Sequence, residues 1–82
     1  MDENIVRERI VTDTKTYSGK PTIRNTRIAV EHMLGMLADG ATQDEILTNY
    51  PFLEKDDIRA CVVYAQQIVS SEQVEPLHKS VS

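Results

Sequence analysis

Val30, Met33, Leu34, Leu37 and Ala38 recur at the three- and four-residue spacing of a single helical stripe. The pattern predicts a first helix that ends at Gly40, since a glycine takes the left-handed conformation of a helix C′ position at least cost. Thr42 then opens a second helix. Glu45 stands three residues on as the reciprocal partner of a capping box, with Ala41 and Ile46 as a weak hydrophobic staple. Pro51 keeps that helix short, because it drives Tyr50 out of the α region and lacks an amide donor. A third helix is predicted from about Glu54 to Val69, with Leu53 and Ile58 as its staple. Its main apolar stripe is Ile58, Cys61, Val62, Ala65 and Val69. Val63 and Tyr64 widen that stripe almost round the cylinder, which implies a second buried face.

Upstream the period shortens. Ile10-Val11-Thr12 and Thr22-Ile23-Arg24 are β-prone runs, and Asp13, Thr14, Ser18, Gly19 and Pro21 between them supply turn chemistry. The expectation is a short β-hairpin, too small to stand alone, that packs on the helices or pairs with another chain. Residues 1–9 read as an arm, or as an edge strand using Ile5 and Val6. Residues 70–82 lose periodicity, contain Pro76 and read as a flexible tail with Val74, Leu77 and Val81 as isolated apolar positions. The folded domain is therefore expected over residues 10–69.

Composition narrows the classes. A chain of 82 residues holds one domain, and with 40% hydrophobic and 27% charged residues it is an ordinary globular sequence. Only 5% of it is aromatic, so the core must be aliphatic and thin, and a partner would relieve the resulting marginal stability. The longest apolar run, Ala60 to Ala65, is too short to span a bilayer, and the acidic N-terminal stretch is no signal peptide. A cytoplasmic, non-membrane protein is expected. Cys61 stands alone, so it forms no internal disulfide, and with His32 and His78 far apart no metal cluster is complete.

Catalytic chemistry finds no purchase. Ser18-Gly19-Lys20-Pro21 resembles the end of a phosphate-binding loop, but that loop needs glycine where Thr14 stands and Ser or Thr where Pro21 stands. Cys61 lies on an apolar stripe and reads as a buried thiol, and His32 reads as a surface residue beside Glu31. Glu54, Asp56 and Asp57 complement the helix dipole and need no metal to explain them. Neither an enzyme nor a cofactor is expected.

Charge is distributed unevenly about a net −4. Lys15, Lys20, Arg24 and Arg27 form a basic arm without an acid, whereas from Ile28 to Glu75 nine acids face only Lys55 and Arg59. A short middle helix, a sharp turn and a longer third helix are compatible with a helix-turn-helix, whose second helix reads the major groove with its N-terminal residues. The nucleic-acid candidates are accordingly Lys20, Arg24 and Arg27 in the arm, with Lys55 and Arg59 at the start of the third helix. The acids beside Lys55 oppose that reading, and the other reading has the arginines pairing with acidic helices inside the fold or a dimer. The wide apolar face of the third helix predicts a homodimer, with Val63, Tyr64 and Gln67 at its interface.

The ordered strings Gly19-Lys20-Pro21-Thr22-Ile23-Arg24-Asn25-Thr26-Arg27-Ile28, Ala38-Asp39-Gly40-Ala41-Thr42 and Tyr50-Pro51-Phe52-Leu53, with Ala60 to Ala65 at the end, resemble domain of unknown function family 433 over about residues 10–69. The resemblance implies a mainly α fold, a three-helix homeodomain-like helix-turn-helix bundle with a short N-terminal β-hairpin. It also implies a prokaryotic source and, as proposed for many members, an antitoxin role beside a PIN-like ribonuclease toxin. Operator DNA is the further partner expected of such a protein. The alternative left open is a homo-oligomeric interaction module with no nucleic-acid role. Two positions depart from the family pattern. Asn25 stands where glycine is usual, and Asn is the side chain that best tolerates a positive φ. Glu54 stands where Ser or Thr commonly caps the helix, which removes a good cap and adds negative charge.

Overall fold

The computed structural model describes residues 4–12 and 19–71. Of the tail expected over 70–82, Ser70 and Ser71 instead continue the last helix, and residues 72–82, including His78, lie outside the described residues, as does most of the loop expected between the strands, including Lys15. The chain order is α1 (Asn4–Arg9), β1 (Ile10–Val11), β2 (Thr22–Ile23), α2 (Val30–Ala38), α3 (Gln43–Asn49) and α4 (Lys55–Ser71). The protein is thus mainly helical, with a small two-stranded antiparallel sheet.

The strands pair Ile10 with Ile23 and Val11 with Thr22. One step beyond the ladder, the Arg24 amide donates to the Arg9 carbonyl at 2.8 Å, so the sheet runs directly into the end of α1. After Ile23 the chain reverses. The Thr26 amide donates to the Ile23 carbonyl at 3.1 Å and Asn25 sits at φ 61°, the positive φ at the third position of a type II turn. The Thr26 hydroxyl donates to the same carbonyl at 2.7 Å and accepts from the Ile28 amide at 3.0 Å, which fixes the return. Asn25 therefore supplies the conformation that glycine would supply in its place.

Each helix end has an identifiable cause. At the C-terminus of α2, the Ala41 amide donates to the Met36 carbonyl and the Gly40 amide to the Leu37 carbonyl, both at 3.0 Å, with Gly40 at φ 98°. That is the Schellman arrangement expected of a C′ glycine. At the start of α3, the Thr42 hydroxyl accepts from the Glu45 amide and the Glu45 carboxylate accepts from the Thr42 amide, completing the capping box. At the start of α4, Glu54 does not cap with its own side chain. Its amide instead donates to Asp57 Oδ2 at 2.8 Å, which is half of a capping box built from the far side.

The main core joins Ile23 and Ile28 of the β-turn region, Val30 and Met33 of α2, Ile46 of α3, and Ile58 and Cys61 of α4, with Leu53 closing the turn before α4. A second, smaller cluster corrects the reading of the N-terminus. Residues 4–9 are neither an arm nor an edge strand; they form α1, whose Ile5 is buried against Ala60 and Val63 of α4. Six residues are too few to show a helical period. The docking of Ile5 onto α4, with Val6 packed beside it and Arg9 bonded to Glu54 and Asp57, decides their conformation. The second buried face implied for the third predicted helix is therefore covered within the same chain, by α1.

Candidate nucleic-acid interface

The β-turn after β2 and the turn before α4 meet at one end of the molecule. Arg24, Asn25 and Thr26 on one side, and Phe52 and Glu54 on the other, line a cleft of about 320 Å³ with Arg9 and Asp57 at its base. Leu53 is buried and anchors the α3–α4 turn, and its amide donates to the Tyr50 carbonyl at 2.9 Å. Phe52, the next residue back, is 63% exposed. Its ring meets Tyr50 edge to face at 6.1 Å, and Tyr50 in turn meets His32 at 6.5 Å. His32 is exposed as expected, with Nε2 3.4 Å from the Tyr50 hydroxyl.

Arg9 organises the base of the cleft. Its Nη1 donates to Glu54 Oε1 at 2.7 Å and to Asp57 Oδ1 at 3.0 Å, and its Nη2 lies 4.0 Å from Asp56 Oδ2. The side chain is largely buried, so these contacts are held in one geometry where a surface pair would be free to move. The hydrogen bond to Glu54 is the main influence that holds the guanidinium above its ordinary proton affinity; Asp57 adds to it and partial burial opposes it. Helix-dipole complementarity is thus only part of why three acids open α4; they also form the seat of Arg9.

This changes the local charge balance. Around the start of α4 there are four cations, Arg9, Arg24, Lys55 and Arg59, against the three acids Glu54, Asp56 and Asp57, and Arg27 follows Arg24 by three residues. Arg24 and Arg27 occupy the same exposed turn, while Lys55 and Arg59 are exposed one helical turn apart on α4. Lys20 does not join them: its ammonium is 3.0 Å from Glu31 Oε1 at the start of α2. Sequence reasoning missed Arg9 and Phe52. Arg9 lies outside the basic arm, and its partners are more than forty residues away in the chain.

Val63, Tyr64 and Gln67, the expected oligomer contacts, are placed differently from one another. Val63 is 4% exposed, sealed under α1 of its own chain, so it is not on a free face. Tyr64 and Gln67 are half-buried. Cys61 is buried as expected; burial, with the Asp57 charge adding to it, pushes its thiol up to about 12. A thiol so placed is not a nucleophile at neutral pH. Among the described residues no helix is long and apolar enough to cross a membrane.

Comparison with known proteins bears on the family. No curated protein matches the chain. A solved structure, the crystal structure of a DUF433 member protein from Anabaena variabilis ATCC 29413, is similar with a TM-score of 0.71 and 28% identity. The match covers 87% of this chain and 80% of that one. The family described as "Protein of unknown function (DUF433)" matches residues 10–65, which run from β1 through the buried half of α4 and include the whole β-turn and both turns that flank α3. With the sheet, the Schellman turn, the capping box and the Tyr50–Leu53 turn all inside that span, the chain belongs to the DUF433 family.

Proposed function

We propose that the protein is a non-enzymatic, antitoxin-like module of a prokaryotic cytoplasm that binds operator DNA through the turn carrying Arg24 and Arg27 together with the start of α4. The observation that carries the reading is the shared cleft: Arg24, on the turn after β2, lines it together with the exposed Phe52, Arg27 is exposed three residues on, and Arg9 is paired with Glu54 and Asp57, acids that would otherwise repel phosphate. In this reading α3, its turn and α4 act as a homeodomain-like helix-turn-helix. The arginine-bearing turn makes the phosphate or minor-groove contacts that flexible arms make elsewhere. The antitoxin half rests on the family resemblance, in which such a role beside a PIN-like ribonuclease toxin is proposed for many members.

Magnitudes set the expected strength. Sequence-independent affinity comes from phosphate neutralisation, and a chain that offers four exposed cations at this end, on a net charge of −4, binds weakly and with steep salt dependence. A toxin partner that contributes positive surface would tighten the complex by adding sites. The test is a mobility-shift titration on the promoter upstream of the gene, with and without the neighbouring gene product. Weak binding alone and tighter binding with the product are expected. The uncharged apolar end of α4 favours a second reading, an interaction module with no nucleic-acid role, and absence of any shift under both conditions would select it.

A further inference from the structure

The apolar face of α4 continues beyond the part of the molecule that covers it. Ile58 and Cys61 are sealed in the core; one heptad further on, Ala65 and Ile68 present the same face with Val69 beside them, 39% exposed at Ile68 and 63% at Val69. The cause is length. α2 has nine residues and spans about 13 Å, whereas α4 has seventeen and spans about 25 Å, so α2 covers only part of it. Between the two helices this leaves a groove of about 280 Å³ lined by the apolar side chains of Pro21, Val30, Leu34 and Tyr64, with Glu31 on its wall and Ile68 and Val69 at its margin.

We propose that this groove and its margin are the contact with a second copy of the same chain, made by antiparallel pairing of the C-terminal halves of two α4 helices about a two-fold axis. Charge argues for a like partner. From Ala60 to Ser71 the helix carries no charged side chain, and Glu31, the charged residue on the groove wall, is paired with Lys20 at 3.0 Å. Two copies with a net charge of −4 repel over most of their surface, and here they meet with no like charges opposed. A partner chosen by charge would find nothing in this face to recognise. Shape argues the same way, because a two-fold contact requires one patch to serve as both knob and hole, and Ile68 and Val69 lie beside the groove. Ala65 lets the two helix backbones approach. This proposal replaces Val63 and Gln67 as interface residues by Ala65, Ile68 and Val69, keeps Tyr64, and does not rest on the DNA-binding reading.

A contact made by a few apolar side chains of one helix is expected to be weak, a dimer that dissociates in the micromolar range. Sedimentation velocity on the full chain from about 1 to about 200 µM should follow that dissociation. Val69→Glu, at an exposed position that leaves the core intact, should weaken it by at least about tenfold with an unchanged circular dichroism spectrum, while Phe52→Ala should leave it as it is. Ala65→Cys should give a covalent dimer on mild oxidation, and the parent chain should not, since Cys61 is buried. A monomer at every concentration would overturn the proposal. So would a dimer indifferent to Val69→Glu that fails to cross-link through position 65. If removal of residues 72–82 converts a monomer into a dimer, the chain's own tail is the occupant and the proposal also fails.

Discussion

Arg9 and Asp57, forty-eight residues apart in sequence, are joined at 3.0 Å by a hydrogen bond that couples the last residue of α1 to the first turn of α4. Asp57 does two things at once: Oδ1 accepts from Arg9, and Oδ2 accepts from the Glu54 amide that begins the helix. The carboxylate thereby caps α4 and fixes α1 in a single arrangement. Both the sheet and the cleft depend on it, because the Arg9 carbonyl is also the acceptor for Arg24.

Arg9→Ala should therefore lower stability by about 1 to 3 kcal/mol, since it leaves a mostly buried carboxylate short of its partner. Arg9→Lys should recover only part of the loss, because a single ammonium on a flexible stem can replace Nη1 between Glu54 and Asp57 but not the planar group whose Nη2 lies toward Asp56. Urea unfolding of the three proteins checks the order.

Asn25 is a described non-glycine residue with positive φ, at 61°. Asn25→Gly should be neutral or mildly stabilising, and Asn25→Val should cost about 1 to 2 kcal/mol, because a β-branched side chain tolerates that conformation poorly. Thermal melts compare them directly, and equal melting temperatures would contradict the turn geometry.

Cys61 gives a pH signature. Its thiol is pushed up to about 12 in the folded chain, against about 8.5 for a free thiol. The unfolded chain thus loses this proton first, and the Cys61 contribution to stability, fully present below the unfolded value, is lost as pH rises through that window. At pH 8 alkylation of native protein should be slow and should accelerate in urea in step with unfolding. Cys61→Ala should flatten the alkaline loss of stability.

Much of the fold is legible in the sequence where a local rule is strong. The Gly40 terminus, the Thr42–Glu45 box and the Pro51 stop follow from residue types at fixed spacing, and the left-handed Asn25 from the family pattern that usually has glycine there. What is not legible is tertiary. α1 is a helix because Ile5 finds Ala60 and Val63, and nothing within six residues announces that contact. The same gap misplaced Val63: its period marks it as buried but cannot say that α1, not another chain, buries it. The candidate cleft divides likewise. Arg24, Arg27, Lys55 and Arg59 are visible as cations, whereas the role of Arg9 and the exposure of Phe52 depend on where two distant turns meet.

The most direct test of the DNA-binding account is the salt dependence of promoter-duplex affinity, measured by fluorescence anisotropy for the parent chain, Arg24→Ala/Arg27→Ala and Lys55→Ala/Arg59→Ala. If the arginine turn makes the dominant phosphate contacts, the first variant binds far more weakly and the slope of log K against log salt becomes shallower by about two per chain, with a smaller change for the second. An arginine-turn variant with the parent's affinity and slope, beside a Lys55/Arg59 variant that has lost binding, would contradict the account and return the contact to α4 alone.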